Sequence, residues 1–177
     1  TSGIVETIGD KLIQKLLADG FRVTLRPHTQ TIKLSRHRVD EILKKYKENP
    51  LFNFDSDMSS QISFDESDLM ISDWSGAAFE YAFGLNKPVL FIDLPRKINN
   101  LEYLKIKAVP LEVKLRSEVG AIMSLGELEN ISDKINNLLL NYDKERQITM
   151  RNKVVFNLMN ADKVSAKKLQ EIINGNV

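Results

Sequence analysis

The stretch Asp68-Leu69-Met70-Ile71-Ser72-Asp73-Trp74-Ser75-Gly76-Ala77-Ala78-Phe79-Glu80-Tyr81 decides the fold class. Leu69–Ser72 is a short apolar run of the kind buried on both faces in a parallel sheet. Small polar residues follow, and then the apolar helical pattern Ala77–Leu85. Strand, sharp turn and helix in that order form half of a crossover unit. The same layout suits an anion. Asp73, Ser75 and Gly76 open a helix whose first N–H groups lack intrahelical partners, and the helix dipole adds to the attraction for phosphate. Gly76 has no Cβ, so a ligand can approach the backbone closely. Glu80 lies one helical turn further on the same face, in reach of a ribose hydroxyl. Read alone, the pattern also fits an ordinary N-cap with no ligand, which is the commoner use of such residues.

Outward from this stretch the periodicity alternates. Val89–Ile92 is a second continuous apolar strand, separated from the helix by Asn86-Lys87-Pro88. Upstream, Ile4–Ala18 has helical spacing and stops at Gly20; Phe21–Leu25 reads as a strand ended by Pro27. Ser35 starts a helix carrying Val39, Ile42, Leu43 and Tyr46, Leu51–Phe54 is a short strand, and Ser60–Glu66 a short helix. Downstream, Val109–Val113 reads as a weaker strand, and Asn130–Tyr142, Lys144–Met159 and Asp162–Ile173 as helices. The pattern predicts a single Rossmann-like α/β domain over residues 1–177. It has three layers, a parallel sheet of about five strands, helices on both faces and extra C-terminal helices. A doubly wound domain opens on a strand, whereas this pattern opens on a helix. With a start at Thr1-Ser2-Gly3 rather than Met, the expectation is a piece of a longer protein.

Composition narrows the function. The 177 residues are 42% apolar and 28% charged with a formal net charge of +1, a globular balance without the basic excess of a nucleic-acid binder. No cysteine is present, which excludes a disulfide scaffold, a thiolate metal site and a cysteine nucleophile. No apolar run nears the roughly 18–20 residues of a membrane span, and the start has no signal-peptide pattern. The Gly-rich dinucleotide fingerprint, the P-loop and the Gly-x-Ser-x-Gly elbow are absent. Asp55, Asp57, Asp65 and Asp68 do not have calcium-loop spacing, and no metal is expected.

A second candidate site follows the first strand, at Leu25-Arg26-Pro27-His28-Thr29. Pro27 fixes the backbone and aims His28 out at the carboxyl edge, where ligands of open α/β sheets bind. Arg26 and His28 point to one side of an extended chain, and both suit a phosphate; the alternative is a surface histidine with no role. His37, within Ser35-Arg36-His37-Arg38, reads as a solvated face. Trp74 reads as core, or as a platform for a base. The loop Leu94–Ala108, with Arg96, Lys97, Lys105 and Lys107, is a ligand loop or a plain connection, by default the latter.

With both sites in view, the chain resembles the donor-binding half of the CDP-glycerol glycerophosphotransferase family, the teichoic-acid polymerases and primases. The resemblance rests on Leu25-Arg26-Pro27-His28-Thr29, on Ser72-Asp73-Trp74-Ser75-Gly76 with Phe79-Glu80, and on Lys87-Pro88-Val89-Leu90-Phe91, and covers roughly Ile4–Asp93. Thr29, Trp74 and Gly76 stand where the family pattern has Pro, Tyr and Ser. The resemblance implies a GT-B fold of two Rossmann-like domains, of which this is the C-terminal one. It further implies His28 as the catalytic residue at the donor pyrophosphate, Arg26, Asp73, Ser75 and the Gly76 amide as phosphate contacts, and Glu80 at the ribose. No cofactor is implied. The partners are a nucleotide-activated donor, a polyol-phosphate or glycan acceptor, and an N-terminal acceptor domain, without which this piece is expected to be inactive. The location implied is cytoplasmic, with the parent on the inner face of the membrane, in cell-wall polymer synthesis. A glycosyltransferase or UDP-sugar 2-epimerase donor domain is a rival reading, and a non-catalytic Rossmann-like module another.

Overall fold

The computed structural model describes residues 3–96, 100, 102–106 and 108–175. Lys97 and Lys107 of the basic loop lie outside the described residues. The chain divides into two compact units, residues up to Tyr142 and residues from Asp143.

The first unit holds, in order, α1 Ile4–Thr7, α2 Gly9–Ala18, β1 Val23–Leu25, α3 Thr29–Leu34, α4 Arg36–Tyr46, β2 Phe52–Phe54, α5 Ile62–Glu66, β3 Met70–Ser72, α6 Ala77–Leu85, β4 Val89–Ile92, α7 Leu111–Val119, β5 Gly120–Met123 and α8 Ile131–Leu140. Short 3₁₀ turns at Tyr103–Lys105 and Leu125–Asn130 lie between. All strand pairs are parallel, and each strand returns to its neighbour through a helix, so the architecture is α/β as its pattern predicts.

The expected sheet of about five strands is not one sheet. β1 pairs with β2, and β3-β4-β5 form a second sheet. Among the described residues no strand supplies the ladder between β1 and β3, and a ladder needs a neighbour about 4.8 Å away. The two sheets nevertheless share one apolar core. Leu12 and Leu16 of α2, Leu90 and Ile92 of β4, Met123 of β5, and Ile131 and Ile135 of α8 form it, with Val23 of β1 and Ile71 of β3 packed against it. β4 is the central strand of its sheet, and Val89, Leu90, Phe91 and Ile92 are all fully buried. That is why its sequence is a continuous apolar run. Each such side chain contributes roughly 1.5–3 kcal/mol by leaving water.

Three element expectations are corrected. The helix read over Ile4–Ala18 is two helices, because Ile8 leaves helical geometry at φ −123°, ψ 2°. The strand read at Val109–Val113 is absent; α7 begins at Leu111 after Pro110 at its N-cap, and the strand is Gly120–Met123. Pro110 sits at φ −54°, ψ 147°, suited to starting a helix, and Leu115 and Val119 then fall on one buried face at helical spacing. Gly120 has no substitute at the head of β5: a Cβ there would lie 2.0 Å from the Val89 carbonyl oxygen. The helix read as Lys144–Met159 ends at Val154, since Asn157 and Met159 take left-handed φ values of 56° and 61°. α3 has no counterpart in the predicted pattern, because its six residues carry no full apolar stripe.

The second unit contains α9 Lys144–Val154 and α10 Ala161–Ile173. Asp143 caps α9 through its side chain, which accepts from Arg146 N–H at 2.9 Å. None of the helices among the described residues is long and apolar enough to cross a membrane.

Candidate functional site

The predicted residues fall into two groups, each at the carboxyl end of a strand. Asp73, Ser75 and Gly76 follow β3, and Glu80 lies a turn into α6. Arg26 and His28 follow β1.

At the β3 end, the turn is built by its own side chains. The Asp73 carboxylate accepts from Trp74 N–H at 2.7 Å, and Ser75 Oγ accepts from Ala77 N–H at 3.3 Å. Ser75 and Gly76 carbonyls take the next N–H groups, from Ala78, Phe79 and Glu80. Among the described residues the N–H groups of Ser75 and Gly76 themselves have no hydrogen-bond partner. Two amides therefore stand unpaired at the positive end of a nine-residue helix. The Ser75 hydroxyl, already an acceptor, keeps its proton to donate. Gly76 sits at φ −60°, ψ −31°, so it is not needed for its backbone angles; nothing lies within 4 Å of where a Cβ would be, and the surface above it is open. Glu80 is exposed.

Trp74 is only partly buried, and its ring is tied at several points. Its indole N–H donates to the Leu94 carbonyl at 2.7 Å, linking the turn after β3 to the end of β4. The Arg116 guanidinium of α7 packs 3.7 Å from the ring centroid. Arg116 is 3% exposed, pairs with Asp93 at 2.9 Å and reaches the Ile92 carbonyl at 3.4 Å. Nothing in the local pattern of α7 singles out this arginine.

At the β1 end, His28 is the N-cap of α3: its Nδ1 accepts from Gln30 N–H at 3.1 Å. With Nδ1 so used, the neutral imidazole carries its proton on Nε2. The side chain is exposed. Arg26, which the resemblance implies as a phosphate contact, has its guanidinium engaged within the chain. Its guanidinium donates to Asp55 at 3.0 Å, Ser60 O at 2.7 Å, Ser63 Oγ at 2.8 Å and Met58 O at 3.0 Å, and stacks 4.5 Å over the Phe64 ring. It braces the loop between β2 and α5.

α5 in turn joins the two groups. Phe64 meets Tyr81 of α6 edge to face at 5.6 Å. Lys87 Nζ donates to the carbonyls of Phe64, Asp65 and Ser67, capping the helix where its last carbonyls lack partners. Beside the shared core, one short helix is thus fastened on one side to Arg26 of the first strand end and on the other to Tyr81 and Lys87. Lys87, read above as part of a strand motif, has this clamping role.

Parallel strands joined through helices, in two small sheets, give the chain a Rossmann-like α/β architecture. Residues 4–97, just over half of the chain, match the family described as CDP-glycerol:poly(glycerophosphate) glycerophosphotransferase, and the chain belongs to that family. The match contains both strand ends, α5 and the Lys87-Pro88 strand. The family is one of transferases that use a CDP-glycerol-type activated donor. No curated protein and no solved structure matches the chain.

Proposed function

We propose that this chain is the donor-binding domain of a glycerophosphotransferase, holding the phosphates of CDP-glycerol at the start of α6. The observation that carries this reading is the pair of unpaired amides at Ser75 and Gly76, within the matched region and open to solvent. The Ser75 hydroxyl adds a third donor, Asp73 shapes the turn, and Glu80 takes the ribose hydroxyls. In the reaction an acceptor hydroxyl oxygen attacks the phosphorus that bears glycerol. The bond from that phosphorus to the bridging oxygen breaks, and CMP leaves. The amides and Ser75 bind charge that grows on the leaving phosphate, and Nε2–H of His28 supplies a proton to it. The acceptor's proton passes to solvent. Arg26 serves this site by fixing the β1 end that presents His28. A further domain holds the acceptor, which is a polyol phosphate or glycan of a cell-surface polymer.

The test is a titration of the chain by two-dimensional NMR with CDP, UDP, GDP and CDP-glycerol. Shifts at Gly76 and Glu80 with CDP and CDP-glycerol alone support the reading. Preference for UDP or GDP moves the function to glycosyl transfer or epimerisation. Absence of any shift at Ser75 and Gly76 overturns the donor site and leaves a simple helix cap.

A further inference from the structure

A basic side chain outside the turn, Arg96, packs over the Trp74 ring. β3 and β4 are adjacent parallel strands with Ser72 opposite Phe91, so the residues that follow them leave the sheet side by side. Ser75 and Gly76 follow one strand, and Asp93, Leu94 and Arg96 follow the other. Arg96 is exposed, and among the described residues its guanidinium makes no hydrogen bond or ion pair. A surface arginine of that kind usually samples many rotamers, at an entropic cost to any ligand that must fix it. Here it does not stand alone. Its Cζ lies 5.5 Å from the Trp74 ring and 5.9 Å from the Tyr103 ring. Trp74 is itself immobilised by Leu94 O and by the buried Arg116.

We infer that Arg96 is a further donor-contacting residue, its guanidinium held by Trp74 and Tyr103 so that its N–H fork meets the donor's phosphate oxygens beside the Ser75 and Gly76 amides. The inference rests on the donor reading above. Two aromatic faces hold a cation without consuming its N–H groups, so the fork remains available for two parallel bonds to an oxyanion. Lysine would bring the charge but neither the stacking nor the fork. Arg116 stands behind this arrangement as a positioning residue, acting through Trp74; its own head is committed to Asp93 and Ile92 O.

Trp74 is the chain's one tryptophan, so its fluorescence reports on this place alone. Arg96→Gln and Arg96→Lys are compared with the unaltered chain in titrations with CDP-glycerol, CMP and uncharged cytidine, at low and high salt. Without ligand, Arg96→Gln is expected to change the Trp74 emission and leave the thermal midpoint unmoved, because Arg96 is exposed. It is expected to weaken CDP-glycerol about 10- to 100-fold and to flatten the salt dependence, with cytidine unaffected. Arg96→Lys is expected to recover only part of the affinity. If the unaltered chain binds CDP-glycerol and Arg96→Gln binds it equally well, the role of Arg96 is refuted and the donor site stands. If the unaltered chain binds none of the three, the donor reading fails and this inference fails with it. An equal loss of cytidine and CDP-glycerol binding also refutes a phosphate contact.

Discussion

The Trp74 indole N–H donates to the Leu94 carbonyl oxygen at 2.7 Å, across twenty residues of chain, and so pins the turn after β3 to the exit of β4. A partly buried tryptophan usually finds such a partner for its N–H. Trp74→Phe keeps an aromatic ring beside Arg116 but leaves the Leu94 carbonyl without its donor. The expected cost is about 1 kcal/mol, read as a lower urea midpoint by circular dichroism with an unchanged slope. An unchanged midpoint would show that the bond does not tie the two strand ends.

Arg26 braces the first strand end with four donated bonds and the Phe64 ring, and its side chain is 10% exposed. Lysine has one ammonium and cannot satisfy partners arranged around a planar fork. Arg26→Lys should cost about 2–4 kcal/mol with no ligand present, by leaving Asp55 and two carbonyls poorly partnered in a nearly water-free site. Urea unfolding followed by Trp74 fluorescence measures it. A variant as stable as the parent but weaker for the donor would make Arg26 a ligand contact and not a brace.

His28 caps α3, and the proposed function gives it a second, separable duty as proton donor. Asparagine can cap α3 through its side-chain oxygen but holds no titratable proton. Stability should therefore fall by about 0.5–1 kcal/mol in His28→Ala and hardly at all in His28→Asn. Affinity for CDP-glycerol should drop about tenfold in both. Calorimetric titration beside thermal melts resolves the two. Full affinity in His28→Asn would leave the imidazole with capping alone.

Gly120 faces the Val89 carbonyl so closely that an added Cβ would sit 2.0 Å from its oxygen. Both residues are in the β4–β5 ladder, where neither backbone can retreat. Gly120→Ala should cost upward of about 2 kcal/mol and raise amide exchange throughout β5. Wild-type exchange rates at Ala121 and Ile122 would contradict this register.

Asp10 gives the chain part of its acid sensitivity. Burial pushes its carboxyl up, but hydrogen bonds from Lys45 Nζ at 2.9 Å and the Tyr46 hydroxyl at 2.8 Å outweigh that and hold it below the ordinary carboxylate value. A group with its folded pKa depressed contributes stability above the unfolded value and loses it as pH falls through the folded one. Melting temperatures should therefore decline at the acid end of the carboxylate range, and Asp10→Asn should flatten that decline while lowering the plateau at neutral pH. An identical acid limb in the variant would remove Asp10 from the account.

What the sequence determined by itself is local. The run Val89–Ile92 is apolar without alternation because both faces of that central strand are covered, Leu69–Ser72 is its half-buried neighbour, and Ala77–Leu85 is found with the bounds its pattern predicts. The polar turn between them and the histidine after Pro27 were legible for the same reason, since each is a contiguous motif, and the family resemblance rests on three such motifs in order. The tertiary structure alone decided the rest. That the strands of the described residues form two sheets depends on hydrogen bonds between segments far apart in sequence. The span after Pro110 is a helix because Leu115 and Val119 find a core to face, not because nine residues prefer helix unaided. The conversion of Arg26 into a brace, and the gathering of Arg96 and Arg116 at Trp74, rest on partners drawn from different elements. Periodicity records which face of an element is buried; which distant side chain meets it there is set only when the elements pack.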